Sequence, residues 1–169
     1  SLFLGESLPD ESLRALARDG SLRKTDNLKK QVDRLIEKPD FNRFVKEFLN
    51  AWLKLDEIND TDPDRELYPE YAGDWWLVNS MIKESQLFFA DLVINNRPAA
   101  GVIDSDYTFL DERLARHYGI ENIYGERFRR VTFDTNHPRG GLLGHGGLLM
   151  VTSHPNRTSP VLRGKWLLE

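Results

Sequence analysis

The segment from Asp74 to about Asn95 is the longest stretch of the chain in which apolar residues recur with helical spacing. Its apolar positions cover a wide arc of a helical wheel and comprise Trp75, Leu77, Val78, Met81, Ile82, Phe88, Phe89, Leu92 and Val93. The polar stripe is narrow and consists of Asn79, Lys83, Gln86 and Ala90. Because a surface helix buries a single face, this arc predicts a central helix that packs on more than one side.

Three shorter helices are predicted before this central helix. Asp10 opens the first helix and Gly20 closes it. Thr25 or Asp26 caps the second, in which apolar residues recur at helical spacing, namely Leu28, Val32, Leu35 and Ile36. The third begins after Pro39, and its predicted inward side chains are Phe41, Phe44, Val45, Phe48, Leu49, Trp52 and Leu53.

The remaining patterns up to residue 135 are weaker. Residues 56–73 are polar and predict a surface connection. Thr108 and Asp111 have the spacing of a capping pair for a helix that contains Leu110, Leu114 and Tyr118 and ends at Gly119. Residues 127–133 alternate and predict a short strand, which alone cannot build a sheet. The fold class predicted is therefore mainly α, an irregular multi-helix bundle with at most a short β element.

The segment from Pro138 to Glu169 combines glycines with apolar residues and histidines. Glycines at 140, 141, 144, 146 and 147 leave room for the close approach of another backbone beside a short buried helix. Residues 152–159 have loop composition, and Ser159 followed by Pro160 is typical of a helix start. The segment predicts a helix, a loop and a second helix.

Charge and cysteine content exclude several classes of protein. The 169 residues carry 23 basic and 27 acidic side chains, a net charge of -4 without a block of one sign. This argues against binding of nucleic acid or a membrane surface, both of which need concentrated positive charge. The absence of cysteine excludes disulfides, thiolate metal sites and covalently attached haem in this piece. Because Ser1 is not a methionine and SLFLG resembles the end of an apolar segment, we expect a fragment of a longer protein.

Glu84 lies at the border of the apolar arc, where a carboxylate needs a partner. The favoured interpretation is a structural salt bridge to an arginine such as Arg129 or Arg130, and the alternative is a catalytic acid. Asp104 and Asp106 could begin a metal-binding loop, but helix capping nearby is favoured, so no metal site is predicted. His117 is interpreted as structural, since it falls at a helix C-terminus.

Basic residues are frequent near the glycine-rich segment, and no catalytic motif accompanies them. One interpretation is structural: the glycines serve helix packing and His154 hydrogen-bonds its loop. The other places a set of basic residues around a pocket for an anionic or redox ligand: His137, Arg139, His145, His154, Arg157 and Arg163. Together with Glu84, all of these except His137 are the candidate binding residues.

Several segments carry a resemblance to a known family. They are LPDESLRALARDGSL, FVKEFLNAWLKL, DYTFLDERLARHYGI, FRRV and RGGLLGHGGLLMVTSHPNRTSPVLRGKWLLE. In this order they resemble the paired domains of unknown function 1592 and 1588 from large multidomain proteins of the planctomycete-type cytochrome c group. Residues 1–135 resemble the C-terminal part of the first domain, and residues 136–169 resemble the start of the second.

The resemblance implies an exported, extracytoplasmic protein in which other domains of the parent chain are the partners. One of them would be a cytochrome c domain that carries haem c, because this piece has no haem-binding C-x-x-C-H motif and holds no cofactor itself. No nucleic-acid partner and no transmembrane segment are expected in this piece, and the family supplies no catalytic residues.

Three hypotheses about function follow. The first is a helical accessory domain that positions a redox partner or substrate for the haem domain. The second is an enzyme domain acting on an extracellular polymer, with a pocket around His145 and His154. The third is a protein-interaction scaffold that uses the aromatic helix start at Trp75 and Trp76. Convergence of His145, His154, Arg157 and Glu84 on one cleft would favour the second.

Overall fold

The computed structural model describes residues 2–5, 7–60, 62–71, 74–134, 137 and 139–168, with only the backbone at 70 and 75. The helices are α1 Leu2–Gly5, α2 Glu11–Arg18, α3 Thr25–Ile36, α4 Phe41–Leu53, α5 Trp75–Ile94, α6 Gly101–Asp104, α7 Glu112–His117, α8 Gly146–Val151 and α9 Pro160–Leu168. Short 3-10 helices are Ser21–Arg23, Leu55–Asn59, Pro69–Tyr71 and Leu142–Gly144. The strands are β1 Tyr107–Leu110, β2 Arg129–Thr132, β3 Ser153–His154 and β4 Arg157–Thr158. The prediction of a mainly α-helical protein is confirmed.

Helix α5 is the central element, as its wide apolar arc predicts. It contacts α4, β1, α7 and α8, and Met81 and Phe88 on it are fully buried. Asp74 caps the helix by accepting a hydrogen bond from the Leu77 backbone N–H. Ala90 was predicted on the polar stripe but is buried, because neighbours cover more of α5 than that pattern allows. The predicted inward position of the Trp75 side chain lies outside the described residues.

Two apolar clusters pack against α5. In the larger one, α4 and α5 meet the C-terminal segment through Phe41, Val45, Leu49, Leu53, Phe88, Leu92, Leu142 and Leu148. The smaller one joins α5 to β1 and α7 through Leu77, Met81, Leu110, Leu114 and Ala115. Phe48 and Trp52 were predicted to face inward but remain 37% and 39% exposed, because they form an aromatic surface stripe with Phe89.

The predicted strand at 127–133 exists as β2, but the expectation that it stands alone is wrong. It pairs antiparallel with β1, so that Tyr107 lies opposite Thr132 and Leu110 opposite Arg129. Thr108 and Leu110 therefore belong to a strand and not to the predicted helix. Helix α7 begins only after Asp111, whose carboxylate accepts a 2.8 Å hydrogen bond from the Leu114 N–H. A strand partner some twenty residues away stabilises the extended form of this segment.

The N-terminal helices follow the predicted pattern with two differences. Gly20 ends α2 in a left-handed conformation, as predicted. Helix α3 starts at Thr25 itself, so neither Thr25 nor Asp26 is the cap; Lys24 occupies that position without a side-chain capping bond. Leu28 on the apolar face of α3 is half exposed, whereas Ile36 at the end of that face packs against the larger apolar cluster, so only part of the face joins the core.

The glycine-rich C-terminal segment packs closely on the body of the protein. A side chain at Gly141 would overlap the carbonyl oxygen of Ile103, and Gly141 has a φ of +56° that favours glycine. The predicted loop contains the β3–β4 hairpin, since Ser153 pairs with Thr158. Ser159 then caps α9 by accepting a hydrogen bond from Leu162 N–H, as predicted. Across the described chain, no helix combines the length and apolar character needed to cross a bilayer.

Candidate functional site

Glu84 is a buried carboxylate held by two hydroxyl groups. It lies in the middle of α5, is 1% exposed, and is reached by Thr108 on β1 and Tyr118 at the end of α7. Its Oε1 accepts a 2.7 Å hydrogen bond from the Thr108 hydroxyl, and its Oε2 accepts a 2.6 Å bond from the Tyr118 hydroxyl. Burial raises the pKa of Glu84 from 4.5 to about 7, although the two hydrogen bonds and the charge of Arg139 oppose this.

The predicted salt bridge from Glu84 to Arg129 or Arg130 is wrong. Both arginines are exposed on β2; Arg129 donates to the Tyr124 carbonyl, and the Arg130 guanidinium lies 4.0 Å from the centre of the Tyr107 ring. Neutral hydroxyl donors hold the carboxylate instead. Such donors do not cancel the cost of burying a charge, which is why the pKa of Glu84 rises.

His145 extends this buried network. It is 2% exposed, its Nδ1 lies 3.0 Å from the Ser85 hydroxyl, and its Nε2 lies 3.4 Å from the Thr108 hydroxyl. Phe88 packs against the imidazole edge to face at 4.9 Å between ring centroids. Burial, assisted by the positive charge of Arg139, lowers the pKa of His145 from 6.5 to about 3. His145 is therefore a neutral imidazole at physiological pH.

Tyr118 connects the buried network to the glycine-rich segment. Its hydroxyl donates to Glu84 and also accepts a 2.7 Å hydrogen bond from the Gly146 backbone N–H. Burial and the neighbouring carboxylate raise the pKa of Tyr118 well above 10, so the hydroxyl keeps its proton. A side chain at Gly146 would come within 2.9 Å of this hydroxyl, so only glycine allows the contact without displacement. Glycine at 146 thus serves the network as well as packing.

Arg139 lies between this network and solvent. Its guanidinium carbon is 3.8 Å from the centre of the Tyr118 ring, and its Nη1 donates a 2.8 Å hydrogen bond to the Gly144 carbonyl. Stacking and this bond fix the orientation of the guanidinium.

Arg139 also lines a cavity of about 250 Å³. The cavity lies between the 62–71 connection, the end of α7, α8 and the β3–β4 hairpin, and is lined by Pro63, Tyr68, Tyr71, His117, Arg139, Gly146, Leu149, Met150, Ser153, His154, Pro155, Arg157 and Thr158. A 2.9 Å hydrogen bond from Asp64 N–H to the Pro155 carbonyl closes one side. Two arginines and two histidines line the cavity, and no carboxylate is among these described lining residues. The cavity is suited to a negatively charged group.

The structure brings some of the predicted binding residues together and leaves others apart. Arg139, His154 and Arg157 share the cavity. Glu84 and His145 lie behind it in the buried network and do not line it. Arg163 is outside it and donates a 3.0 Å hydrogen bond to the Thr158 hydroxyl. Their role in ligand binding stays a prediction.

Sequence reasoning missed several residues of this region or misjudged their position. Outside the cavity, His137 stacks on Phe133 at 4.3 Å between ring centroids. His117 lies in the last turn of α7, as predicted, but its Nε2 is 2.9 Å from the Tyr71 hydroxyl at the cavity wall. Thr108 and Tyr118 were assigned only to a helix, and no sequence signal indicated that their hydroxyls would reach Glu84. Among the described residues, no group of three or more metal-ligating side chains could hold a metal ion.

Comparison with known proteins places the chain in a family. The family described as "Protein of unknown function (DUF1592)" matches residues 1–120. The chain belongs to this family. The match includes Glu84, Thr108 and Tyr118 and ends before the strand β2 and the glycine-rich segment. No curated protein and no solved structure matches the chain. The first of the two predicted domain resemblances is thus confirmed, whereas the second domain and the cytochrome c context stay predictions.

Proposed function

We propose that this DUF1592 chain is an accessory binding domain that holds an anionic group of a substrate or redox partner. The observation that carries the proposal is the cavity lined by Arg139, Arg157, His117 and His154, with no carboxylate among the lining residues that the structure describes. The whole chain has a net charge of -4, whereas the charged side chains among the described lining residues of this cavity are all basic. This local reversal of sign favours binding of a negative group over a neutral one.

Arg139 supplies the most rigid donor in the cavity. Arginine has five N–H donors in a planar fork, and the 2.8 Å bond to the Gly144 carbonyl uses one. Because the guanidinium is already stacked on Tyr118, little conformational entropy is lost when the remaining donors bind a carboxylate or sulfate. Arg157 and His154 lie on the β3–β4 hairpin at the cavity wall and add further donors.

The arrangement favours binding over catalysis. A general acid must reach the proton acceptor of its substrate at hydrogen-bond distance. Both oxygens of Glu84 already accept hydrogen bonds, and neither Glu84 nor His145 lines the cavity. The enzyme hypothesis would need one of these groups at the cavity surface, so an accessory role is the better supported one.

The resemblance to multidomain cytochrome c proteins supports a place for this domain in an exported parent protein. A haem-carrying domain of that parent would perform the redox chemistry, and this domain would position the molecule that exchanges electrons or is acted upon. Arg139→Gln in the full-length parent would test this part. We expect the redox reaction of the haem domain to be impaired while the haem spectrum stays unchanged. A lost or shifted haem spectrum would contradict an accessory role.

The anion site can be tested in the 169-residue chain by calorimetric titration with sulfate and with glucuronate. Arg139→Gln and Arg157→Gln should each weaken binding about 10- to 100-fold, the range for loss of a charge-assisted hydrogen bond. Arg18→Gln is the matched control, because Arg18 is an exposed arginine on α2 paired with Glu11. No binding of either anion, or equal loss in the Arg18→Gln control, would refute the proposal.

A further inference from the structure

A larger groove of about 730 Å³ runs between α5, α7 and the loop before β2. None of its described lining residues also lines the cationic cavity. Helix α5 contributes Trp76, Asn79 and Lys83, whose spacing of three and four residues places them along one side of the helix. Seven residues of helix correspond to about 10 Å, so these side chains form an extended platform.

Trp76 provides an aromatic surface at one end of this platform. It is 71% exposed, which is unusual for the largest apolar side chain. An exposed indole beside polar groups is apolar on its face and leaves that face free to stack on a ring. The C–H face of a sugar ring is a partner of this kind, because it is apolar while its edge carries hydroxyls.

The walls of the groove are already fixed by internal bonds. Asp111 accepts hydrogen bonds from the Ser80 hydroxyl at 2.6 Å and from Leu114 N–H. Glu112 accepts from Arg116 at 2.8 Å and from the Gly125 N–H at 2.6 Å. Because both carboxylates already accept these hydrogen bonds, they are not available to bind a cation.

Three polar side chains of the groove are left available. Asn79, Lys83 and Glu126 make no hydrogen bond or ion pair with any residue in the described part of the chain. An amide, an ammonium and a carboxylate together both donate and accept hydrogen bonds. Hydroxyl groups, which also do both, match this combination better than a purely acidic or purely basic ligand.

The charge of the groove supports a neutral ligand. Its three basic residues, Lys83, Arg113 and Arg116, are balanced by its three acidic residues. This differs from the cationic cavity, where the charged side chains are basic in the part of the lining that the structure describes. We infer that the groove binds a neutral oligosaccharide, with one sugar ring stacked on Trp76 and hydroxyls bonded by Asn79, Lys83 and Glu126.

The test uses the 169-residue chain and a panel of neutral hexasaccharides: β-1,4-glucan, β-1,4-xylan, β-1,4-mannan and α-1,4-glucan. Calorimetry and tryptophan fluorescence should detect binding of at least one of them. Trp76→Ala should weaken that binding more than tenfold, and Trp76→Phe should restore part of it, since a smaller ring keeps some stacking. Asn79→Ala and Lys83→Ala should each weaken binding several-fold.

Trp52→Phe is the matched control, because Trp52 is a partly exposed tryptophan in the separate aromatic stripe with Phe48 and Phe89. It should leave oligosaccharide affinity unchanged. The inference is overturned if no hexasaccharide binds, or if Trp76→Ala binds as tightly as the wild type. Either result leaves the proposal of an anion site unaffected, because sulfate titration tests different residues.

Discussion

Replacing Glu84 with glutamine should make the protein more stable at alkaline pH and leave its stability little changed in acid. The substitution removes a charge that is 1% exposed while keeping the shape of the side chain. The glutamine carbonyl can still accept a hydrogen bond from the Tyr118 hydroxyl. The glutamine amide can donate a hydrogen bond to the Thr108 hydroxyl, and this hydroxyl can then donate to His145 Nε2, which lies 3.4 Å away. Glutamine therefore resembles the protonated form of Glu84.

The magnitude follows from the pKa of Glu84. A tenfold change in proton affinity corresponds to about 1.4 kcal/mol, so a pKa raised from 4.5 to about 7 corresponds to about 3 kcal/mol. Because the folded protein holds this proton more tightly than the unfolded chain, the stability from Glu84 is fully present below pH 4.5. It falls as pH rises through about 7.

His145 contributes with the opposite sign. Its pKa falls from 6.5 to about 3 on folding, so the unfolded chain takes up its proton first and stability falls as pH drops below 6.5. In the wild type the two groups offset each other between pH 4.5 and 6.5. Both Glu84→Gln and the wild type contain His145. The difference between their unfolding free energies therefore reports the contribution of Glu84.

The assay is urea denaturation of both proteins from about pH 4.5 to about pH 8.5 at constant ionic strength. The difference in unfolding free energy should increase by about 3 kcal/mol in favour of Glu84→Gln over this range. Glu121→Gln, which replaces an exposed carboxylate by the same amide, is the control and should not reproduce this increase. A pH-independent difference for Glu84→Gln would refute the assignment of a buried, proton-binding carboxylate.

Three further substitutions test a close backbone contact and an ion-pair cluster. Gly141→Ala should lower the unfolding free energy by about 2 to 4 kcal/mol in thermal melts, because its methyl group would overlap the Ile103 carbonyl. Gly125→Ala, also at positive φ but with nothing within 4 Å, should cost only about 1 kcal/mol. Asp10→Asn should lower the melting temperature, since Asp10, which caps α2, forms 2.7 Å ion pairs with Arg34 on α3 and with Lys38 just after α3. These bonds keep the pKa of Asp10 far below its usual value, so the difference from wild type should vanish in strong acid.

The helices could be predicted from sequence because their determinants are local. Asp10 caps the start of α2 and Gly20 follows its end, and the wide apolar arc identifies α5 as the central helix. Strand β1 could not be predicted, since Thr108 and Asp111 also fit a capping pair and the choice depends on β2 some twenty residues later. Pairing between distant segments leaves no local signal.

The candidate site, like the fold, could be predicted from the sequence only in part. His154 and Arg157 are near neighbours in sequence and converge through a hairpin. Glu84 was recognisable as a carboxylate in an apolar setting, but its two hydrogen-bond partners, Thr108 and Tyr118, come from two other parts of the chain. Hydroxyl groups such as that of Tyr118 are common in any sequence, so their convergence on Glu84 appears only in the folded chain.

Coupling between the buried network and the cationic cavity gives a final prediction, which depends on the proposed anion site. The charge of Arg139 lowers the pKa of Glu84, so an anion bound to Arg139 would offset that charge and favour protonation of Glu84. By linkage, sulfate should bind several-fold more tightly as pH falls through about 7. Only the contribution of Glu84 to this trend is lost in Glu84→Gln, because that substitution leaves the lining of the cavity unchanged. Equal pH dependence of sulfate affinity in wild type and Glu84→Gln would show that the network and the cavity are independent.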